Sequence, residues 1–361
     1  MGRLSHPLHV LVFRNTLVTM RLSRGLLSDG IGMVERAYSL ELSGHEWLRS
    51  IADGANQLLG RGAGAVAFTF VAPARRGVSM PALISSGMKR SVETSLVALT
   101  RSTPVAVVER TFRRLTGMET ASEATAMGAT IEDEPSWQRF MHPHGLRDCL
   151  VVNVVTDPRG QGLTIGIPLV RVERTPAVAK HVWDRIAVHL GAGLRLRRAL
   201  DGRDLLDGAE AVVTPGGRIE HAEKEARTPA ARERLREAAV RIERARGRMR
   251  RQDPTEALEL WQGLVAGRWS LVDHFERSGR RYLVAHRNPP GVDDPRALTE
   301  RERQIVGYAA LGHSNKLVGY ELGLSASTVA MALARARAKL GVPTRAALIT
   351  MVNRLAAGTS P

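Results

Sequence analysis

The chain has 361 residues, a formal net charge of +16, one cysteine and only 4% aromatic residues. That length predicts two or three domains with real cores. The single cysteine, Cys149, excludes an intramolecular disulfide framework and a cysteine-rich zinc site, and no apolar run approaches the eighteen residues of a membrane span. The basic excess extends over the whole chain, so general attraction to polyanions is expected. Residues 1–33 hold four arginines, Arg3, Arg14, Arg21 and Arg24, against one acid, Asp29, around a short apolar run from Leu8 to Phe13. A targeting peptide has a similar composition, but no small-residue cleavage site follows. The segment reads as a poorly structured extension, with Met33 an alternative start for the ordinary globular sequence beyond it.

From residue 34 to about 200 the pattern mixes both periodicities. Glu46 to Leu59 places Trp47, Leu48, Ile51, Ala55 and Leu58 at helical spacing. Ala65 to Val71 alternates, with Val66, Phe68 and Phe70 on one face, and predicts a strand. Ser91–Leu99 and Val105–Leu115 read as helices. Leu150–Thr156 and Leu163–Val170 flank a turn-forming Asp157-Pro158-Arg159-Gly160-Gln161-Gly162 and predict a hairpin. A long exit helix, Val178 to Leu200, carries Val182, Ile186, Leu190 and Leu194 on one stripe. The result is an α+β sandwich whose order of elements is similar to GAF-type sensor domains. That resemblance implies a pocket for a small molecule or protein segment between sheet and helices, with Phe68, Phe70, Trp137 and Phe140 as candidate lining residues. With so few aromatics, core filling competes for the same rings. Met141-His142-Pro143-His144, with Cys149 close behind, has too few ligands for zinc. No metal and no cofactor are expected, and His189 in the exit helix reads as a packed or surface histidine.

Residues 203–290 begin with short strands, Ala209–Thr214 and Arg218–Ala222, around Pro215-Gly216-Gly217. A helix from Pro229 to Arg251, capped by Thr228, holds nine arginines and three glutamates, with Leu235, Ala239, Ile242 and Met249 as a narrow apolar stripe. Asp253-Pro254 caps a further helix, and Trp269–Phe275 with Arg281–His286 form a hairpin. This order looks like a PAS-type domain. The arginine helix could bind DNA directly, although the interspersed glutamates and the stripe favour a solvated helix packed on one side. Asn288 to Pro295, with three prolines, predicts a linker across which few packing contacts pass.

The segment 292–361 is the most informative. Thr299 with Glu302 forms a capping box ahead of a first helix. Asn315–Leu322 is a short helix, Leu322-Gly323-Leu324-Ser325 a tight turn, and Ser325 caps an alanine-rich helix from Ala326 to Leu340. A fourth helix, Thr344–Leu355, follows Pro343. Short helix, glycine turn and longer helix is the helix-turn-helix plan, whose second helix enters a major groove about 12 Å wide. From Arg296 onward nine Lys and Arg stand against three Glu, leaving +6 on one small domain, which suits counterion release from phosphates.

Leu298-Thr299-Glu300-Arg301-Glu302-Arg303, Gly312-His313-Ser314-Asn315-Lys316, Leu322-Gly323-Leu324-Ser325, Thr328-Val329 and Lys339-Leu340-Gly341-Val342 resemble, in order and spacing, the LuxR-type (GerE-type) module of bacterial transcription regulators. The resemblance implies a recognition helix opened by Thr328 and Val329 and a fourth helix that dimerises. The candidate DNA-binding residues are Ser314, Asn315, Lys316, Ser325, Thr328, Val329, Met331, Ala334, Arg335, Arg337 and Lys339. Met351 and Val352 are the dimerisation candidates. Ala330 and Ala332 stand where the family usually has Lys and His, so base readout falls to Met331, Arg335 and DNA shape.

The fold class is therefore α+β and multidomain: a GAF-like sandwich, a PAS-like middle segment and an all-α four-helix module. No Walker-type glycine loop, nucleophile elbow or carboxylate cluster supports an enzyme. The reading is a cytoplasmic, sequence-specific transcription regulator with an upstream sensory region. Expected partners are double-stranded DNA, a second copy of the chain on that DNA, and an unknown small-molecule or protein signal, with RNA polymerase a further candidate and no membrane. The alternative is a protein-interaction module that its C-terminal domain localises to DNA.

Overall fold

The computed structural model describes residues 18–19, 30–72, 77–105, 108, 112, 116–124, 131–157, 160–261, 265, 268–276, 279–288, 298–340 and 342–356. Most of the extension predicted for residues 1–33 lies outside the described residues, but Gly30–Met33 are helical. α1 (Gly30–Ala37) buries Ile31, Met33 and Val34, because its apolar face packs on the long exit helix. α2 (Gly44–Leu59) starts at a capping box: the Ser43 hydroxyl accepts from the Glu46 amide, and the Glu46 carboxylate accepts from the Ser43 amide.

Five strands follow: β1 (Ala65–Val71), β2 (Ser79–Ser86), β3 (Gly117–Thr120), β4 (Asp148–Asp157) and β5 (Gln161–Leu169). They form one antiparallel sheet in the order β2-β1-β5-β4-β3. Because side chains alternate along a strand, the sheet has two different faces. Ala67, Leu150, Val152, Val154, Ile165 and Ile167 meet α2 and the exit helix α5 (Ala177–Leu200). Val66, Phe68, Phe70 and Val155 face the other way, toward α3 (Arg90–Arg101) and α4 (Pro135–Phe140). Between α3 and β3 the predicted helix Val105–Leu115 lies almost wholly outside the described residues; Val108 and Phe112 are buried on this second face.

The middle segment adds β6 (Ala211–Val213), β7 (Ile219–Ala222), β8 (Trp269–Phe275) and β9 (Arg281–Arg287), an antiparallel sheet in the order β8-β9-β6-β7. Between β7 and β8 lie α6 (Pro229–Arg244), capped by Thr228, and α7 (Pro254–Leu260), capped by Asp253. The arginine helix predicted to reach Arg251 ends its regular course at Arg244. A π-helical stretch, Ala245–Met249, contains Gly247 at a non-helical ψ of −137°, as the low helical preference of glycine allows. Leu235, Ile242, Trp261, Trp269 and Leu283 join the same hydrophobic cluster as Ile186 and Leu190 of α5. The two upstream segments therefore share a core.

Four helices close the chain: α8 (Glu300–Ala310), α9 (Asn315–Leu322), α10 (Ala326–Lys339) and α11 (Arg345–Ala356). Their core is Ile305, Val306, Ala309, Leu322, Val329, Leu333, Leu348 and Val352. The sparse contact predicted across Asn288–Pro295 is not what is found, although residues 289–295 lie outside the described set. Tyr320 of α9 hydrogen-bonds the carbonyls of Leu258 and Trp261, Thr116 donates to the Leu311 carbonyl at 2.7 Å, and Arg268 pairs with Glu300. Asn288 is buried and donates to the Ala192 carbonyl at 2.9 Å. The reason is chemical: Tyr320, Glu300 and the Leu311 carbonyl are polar groups at the surface of the four-helix unit, and α7, Arg268, Thr116 and His189 of α5 supply their partners.

Candidate nucleic-acid interface

The turn between α9 and α10 is built from two glycines. Gly323 caps α9 in the left-handed region at φ 62°, ψ 40°, where a side chain is disfavoured. At Gly319 a Cβ would lie 2.5 Å from the Leu324 carbonyl oxygen, and the Leu324 amide donates to the Gly319 carbonyl at 2.8 Å. The two helices meet at 105°, within the range of a helix-turn-helix. The Ser325 hydroxyl accepts from the Thr328 amide at 3.1 Å and lies 2.8 Å from both the Ser327 and Thr328 hydroxyls.

α10 has two faces. Val329, Ala332, Leu333 and Ala336 are buried, whereas Ser327, Ala330, Met331, Ala334 and Arg335 point to solvent. Met331 is 56% exposed, a large apolar side chain on a face otherwise made of small or polar groups. Val329, predicted alongside Thr328 to contact DNA, is instead a core residue at zero exposure, because it sits on the side of α10 that packs on α8. Ser327, which is not among the predicted contacts, is exposed on the same side as Met331. It stands in the first turn of α10, two residues after the cap.

The remaining predicted contacts divide by environment. Ser314 caps α9, accepting from the Leu317 amide, and is exposed together with Lys316. Asn315 is half-buried and accepts from Arg345 at 2.6 Å, which ties α9 to α11. Lys339 lies 2.7 Å from the Glu302 carboxylate and Arg335 3.7 Å from it. The Lys339 ammonium, with the Thr299 hydrogen bonds, holds Glu302 down at about 2. Arg335 keeps a mostly exposed guanidinium and can leave that long contact, while Arg337 is half-buried. In α11, Leu348 and Val352 both face the core. Val352 is thus removed from the dimerisation candidates by its packing against α8, and Met351, half-exposed, remains.

Upstream, the predicted aromatic set is largely brought together. Phe68, Phe70 and Trp137 lie in one apolar cluster with Phe112, whose ring meets Phe70 edge-on at 5.0 Å. Phe140 sits at its margin beneath the Arg139 guanidinium. Opposite Phe68 in the sheet register stands Thr164, and opposite Thr164 stands Asn153. The Thr164 hydroxyl donates to the Asn153 carbonyl oxygen at 2.7 Å, fully buried. His142 and His144 have separate partners, Arg147 and Ser95, and among the described residues no three His, Cys, Asp or Glu side chains group as metal ligands. A separate cleft of about 1190 Å³ runs between the α1–α2 connection and β8–β9, where Arg246 and Glu35 neutralise one another at 3.3 Å.

Residues 296–352 match the family of bacterial regulatory proteins described as the luxR family. The C-terminal segment is a LuxR-family, DNA-binding helix-turn-helix domain. Among solved structures, SdiA of Escherichia coli is similar at 11% identity and a TM-score of 0.34, covering 92% of this chain and 98% of that one. SdiA in complex with octanoyl-rac-glycerol is similar at 14% identity and a TM-score of 0.31, with 94% and 98% covered. No curated protein matches the sequence. Among the described residues, no single helix is long and apolar enough to cross a membrane.

Proposed function

We propose that this chain is a sequence-specific transcription regulator, non-enzymatic and cytoplasmic, that reads duplex DNA through α10 and takes a signal in its upstream segments. The observation that carries the reading is the two-faced α10: Val329 and Leu333 fix it to the core, and Ser327, Met331, Ala334 and Arg335 are presented outward. A helix so mounted can lay its N-terminal turns against base edges. Thr328 and Ser314 would donate to phosphates, Arg335 would be bidentate to guanine, and Met331 would contact a thymine methyl. A dimer joined near Met351 would place two such helices on successive half-sites, and RNA polymerase is a candidate partner of the bound dimer.

For the signal, the apolar cluster formed by Phe68 and Phe70 of the sheet with Trp137 of α4 would suit a small, mostly apolar ligand. The buried Thr164–Asn153 pair supplies the polar group that would orient it. Thr116 offers a route from there to the DNA-binding domain. Its hydroxyl accepts from the Val155 amide of β4 at 3.1 Å and donates to the Leu311 carbonyl at the end of α8. A ligand that shifts β4 would strain that bridge and bias the docking of the helix-turn-helix. The test is genome-wide recovery of DNA bound to the protein in cells, with transcripts of neighbouring genes measured in cells with and without it. A shared sequence upstream of genes whose transcripts change supports the proposal. Recovery without a shared sequence, alongside a copurifying protein, would transfer support to a localised interaction module.

A further inference from the structure

The sequence favours a solvated, one-sided packing for the arginine-rich α6, and the fold gives it an unexpected neighbour. A groove of about 300 Å³ separates α6 from the helix-turn-helix; Arg234 and Arg241 line it on one side, and Arg301, Gly323 and Leu324 on the other. Leu324 directly precedes Ser325, the cap of the recognition helix. Basic side chains of the middle segment thus stand beside the turn that delivers α10 to DNA. We propose that α6 is a second DNA-contacting element, in which Arg234 and Arg241 bind the phosphate backbone flanking the groove read by α10. The proposal rests on the DNA-binding reading above and adds a contact from outside the LuxR-family domain.

Charge is the first argument. Arg234 is exposed and makes no ion pair among the described residues, and Arg241 has only Glu237, at 3.9 Å. Arg301 is already engaged, donating to the Leu322 carbonyl at 3.0 Å and to Gln304. Partial burial, and next the Arg234 guanidinium, hold Arg301 below the ordinary arginine range. Three guanidinium groups and one carboxylate, Glu237, line the groove, and a polyanion in its mouth offsets the net positive charge that remains. Geometry is the second argument. Residues 234 and 241 lie two helical turns apart, roughly 10 Å along the axis, which matches about three base pairs of duplex at 3.4 Å each. A backbone already brought to Ser325 by the recognition helix runs past that stripe. The outer face of the same helix carries Arg232, Arg236 and Arg244, all exposed, so the local field draws the flanking duplex in.

The experiment uses the full chain, a duplex of arbitrary sequence about three helical turns long, and fluorescence anisotropy between 50 and 200 mM sodium chloride. Three proteins are compared: wild type, Arg234→Ala with Arg241→Ala, and Arg232→Ala, which lies on another side of α6. Each phosphate contact contributes about 0.9 to the slope of log K against log salt. The double variant should therefore show a slope shallower by about two units, and its deficit relative to wild type at 50 mM should shrink about twelvefold by 200 mM. Arg232→Ala should keep the wild-type slope. Because Arg232 and Arg234 are exposed and Arg241 is only partly buried, all three should share one thermal melt, and Arg234→Glu, read the same way, should lower affinity further. A double variant with the wild-type slope, or an Arg232→Ala slope reduced as much, overturns the contact while leaving the domain's own DNA binding intact. A wild type that binds no duplex at any of these salt concentrations overturns the DNA-binding reading itself.

Discussion

The Nε2 of His189 in α5 lies 2.9 Å from the hydroxyl of Tyr320 in α9, a contact between residues 131 positions apart that joins the upstream core to the helix-turn-helix. The Tyr320 hydroxyl has one proton, which it gives to the Leu258 and Trp261 carbonyls. His189 must then carry its proton on Nε2 and donate to the tyrosine oxygen, which leaves Nδ1 to accept from Tyr38 at 3.3 Å. Burial drives the ring pKa down to about 3, so the imidazole is neutral and its two nitrogens have fixed, opposite roles.

Removing the hydroxyl at position 320 should therefore uncouple the joint. Tyr320→Phe leaves two carbonyls and an imidazole N–H short of a partner, a loss of about 1–3 kcal/mol. Calorimetry should show a lower midpoint for the full chain, with the DNA-binding domain's transition separating from the rest. A single unchanged transition would mean that the contact contributes nothing to docking.

Glu321, beside Tyr320, makes stability depend on pH. It is fully buried, and neither carboxylate oxygen has a hydrogen-bond partner among the described residues. Tyr38, Tyr308, Tyr320 and Arg195 surround it electrostatically. Burial raises it from 4.5 to about 8, with Arg195 acting in the opposite direction. The folded chain thus holds a proton between those values that the unfolded chain has released, so this contribution to stability falls as pH rises through the window. Asp148 and Asp184, raised to about 6 by burial, act in the same sense but at lower pH. His189 and His313, lowered to about 3, have the opposite slope below 6.5. Between pH 6.5 and 8 Glu321 dominates this set, and denaturant titrations should lose up to about 1.4 kcal/mol per pH unit. Glu321→Gln should flatten that limb; an unaltered slope would assign it elsewhere.

In α11 two adjacent apolar residues should behave differently. Val352→Glu places a carboxylate in the core and should unfold the domain, visible as lost helical circular dichroism. Met351→Glu should leave the fold intact and lower the stoichiometry on a palindromic duplex from two chains to one in sedimentation. A Met351→Glu protein that still binds as a dimer would move the interface off this helix.

Residues 292–361, expressed alone, have their own caps and core and should fold with the operator preference of the full chain. Glu321, Tyr308 and Tyr320 then meet water, and the Glu321 titration, followed by NMR, should return toward the ordinary carboxylate range. A fragment that folds but selects different sequences would make the upstream surface part of the reading unit.

What could be read from the sequence was what short-range chemistry writes. Thr299 with Glu302, Ser314, Ser325 and Gly323 each act within four residues, so the four C-terminal helices were legible almost to the residue. The alternation of Val66, Phe68 and Phe70 gave β1 and its face. β2 escaped because Ser79–Ser86 is an edge strand with one buried residue and little alternation, and β3 because four residues carry too little pattern. The joint was illegible for another reason: His189, Tyr320 and Glu321 are polar residues on separate helices, and nothing local says that they are buried together. Val329 and Val352 both lie in the core: resemblance fixes a register along a helix more firmly than which side faces inward, and the apolar run of α11 does not say which of its residues pack on α8.

The central claim is that α10 reads DNA with its outward face. The direct measurement is selection of bound duplexes from a random pool by the full chain, repeated with Met331→Ala and Arg335→Ala. The account predicts a two-fold symmetric enriched site for the wild type, with Arg335→Ala relaxing one position by about 1–3 kcal/mol and Met331→Ala relaxing its neighbour. Enrichment of one unaltered site by all three proteins, or no enrichment by the wild type, would contradict it.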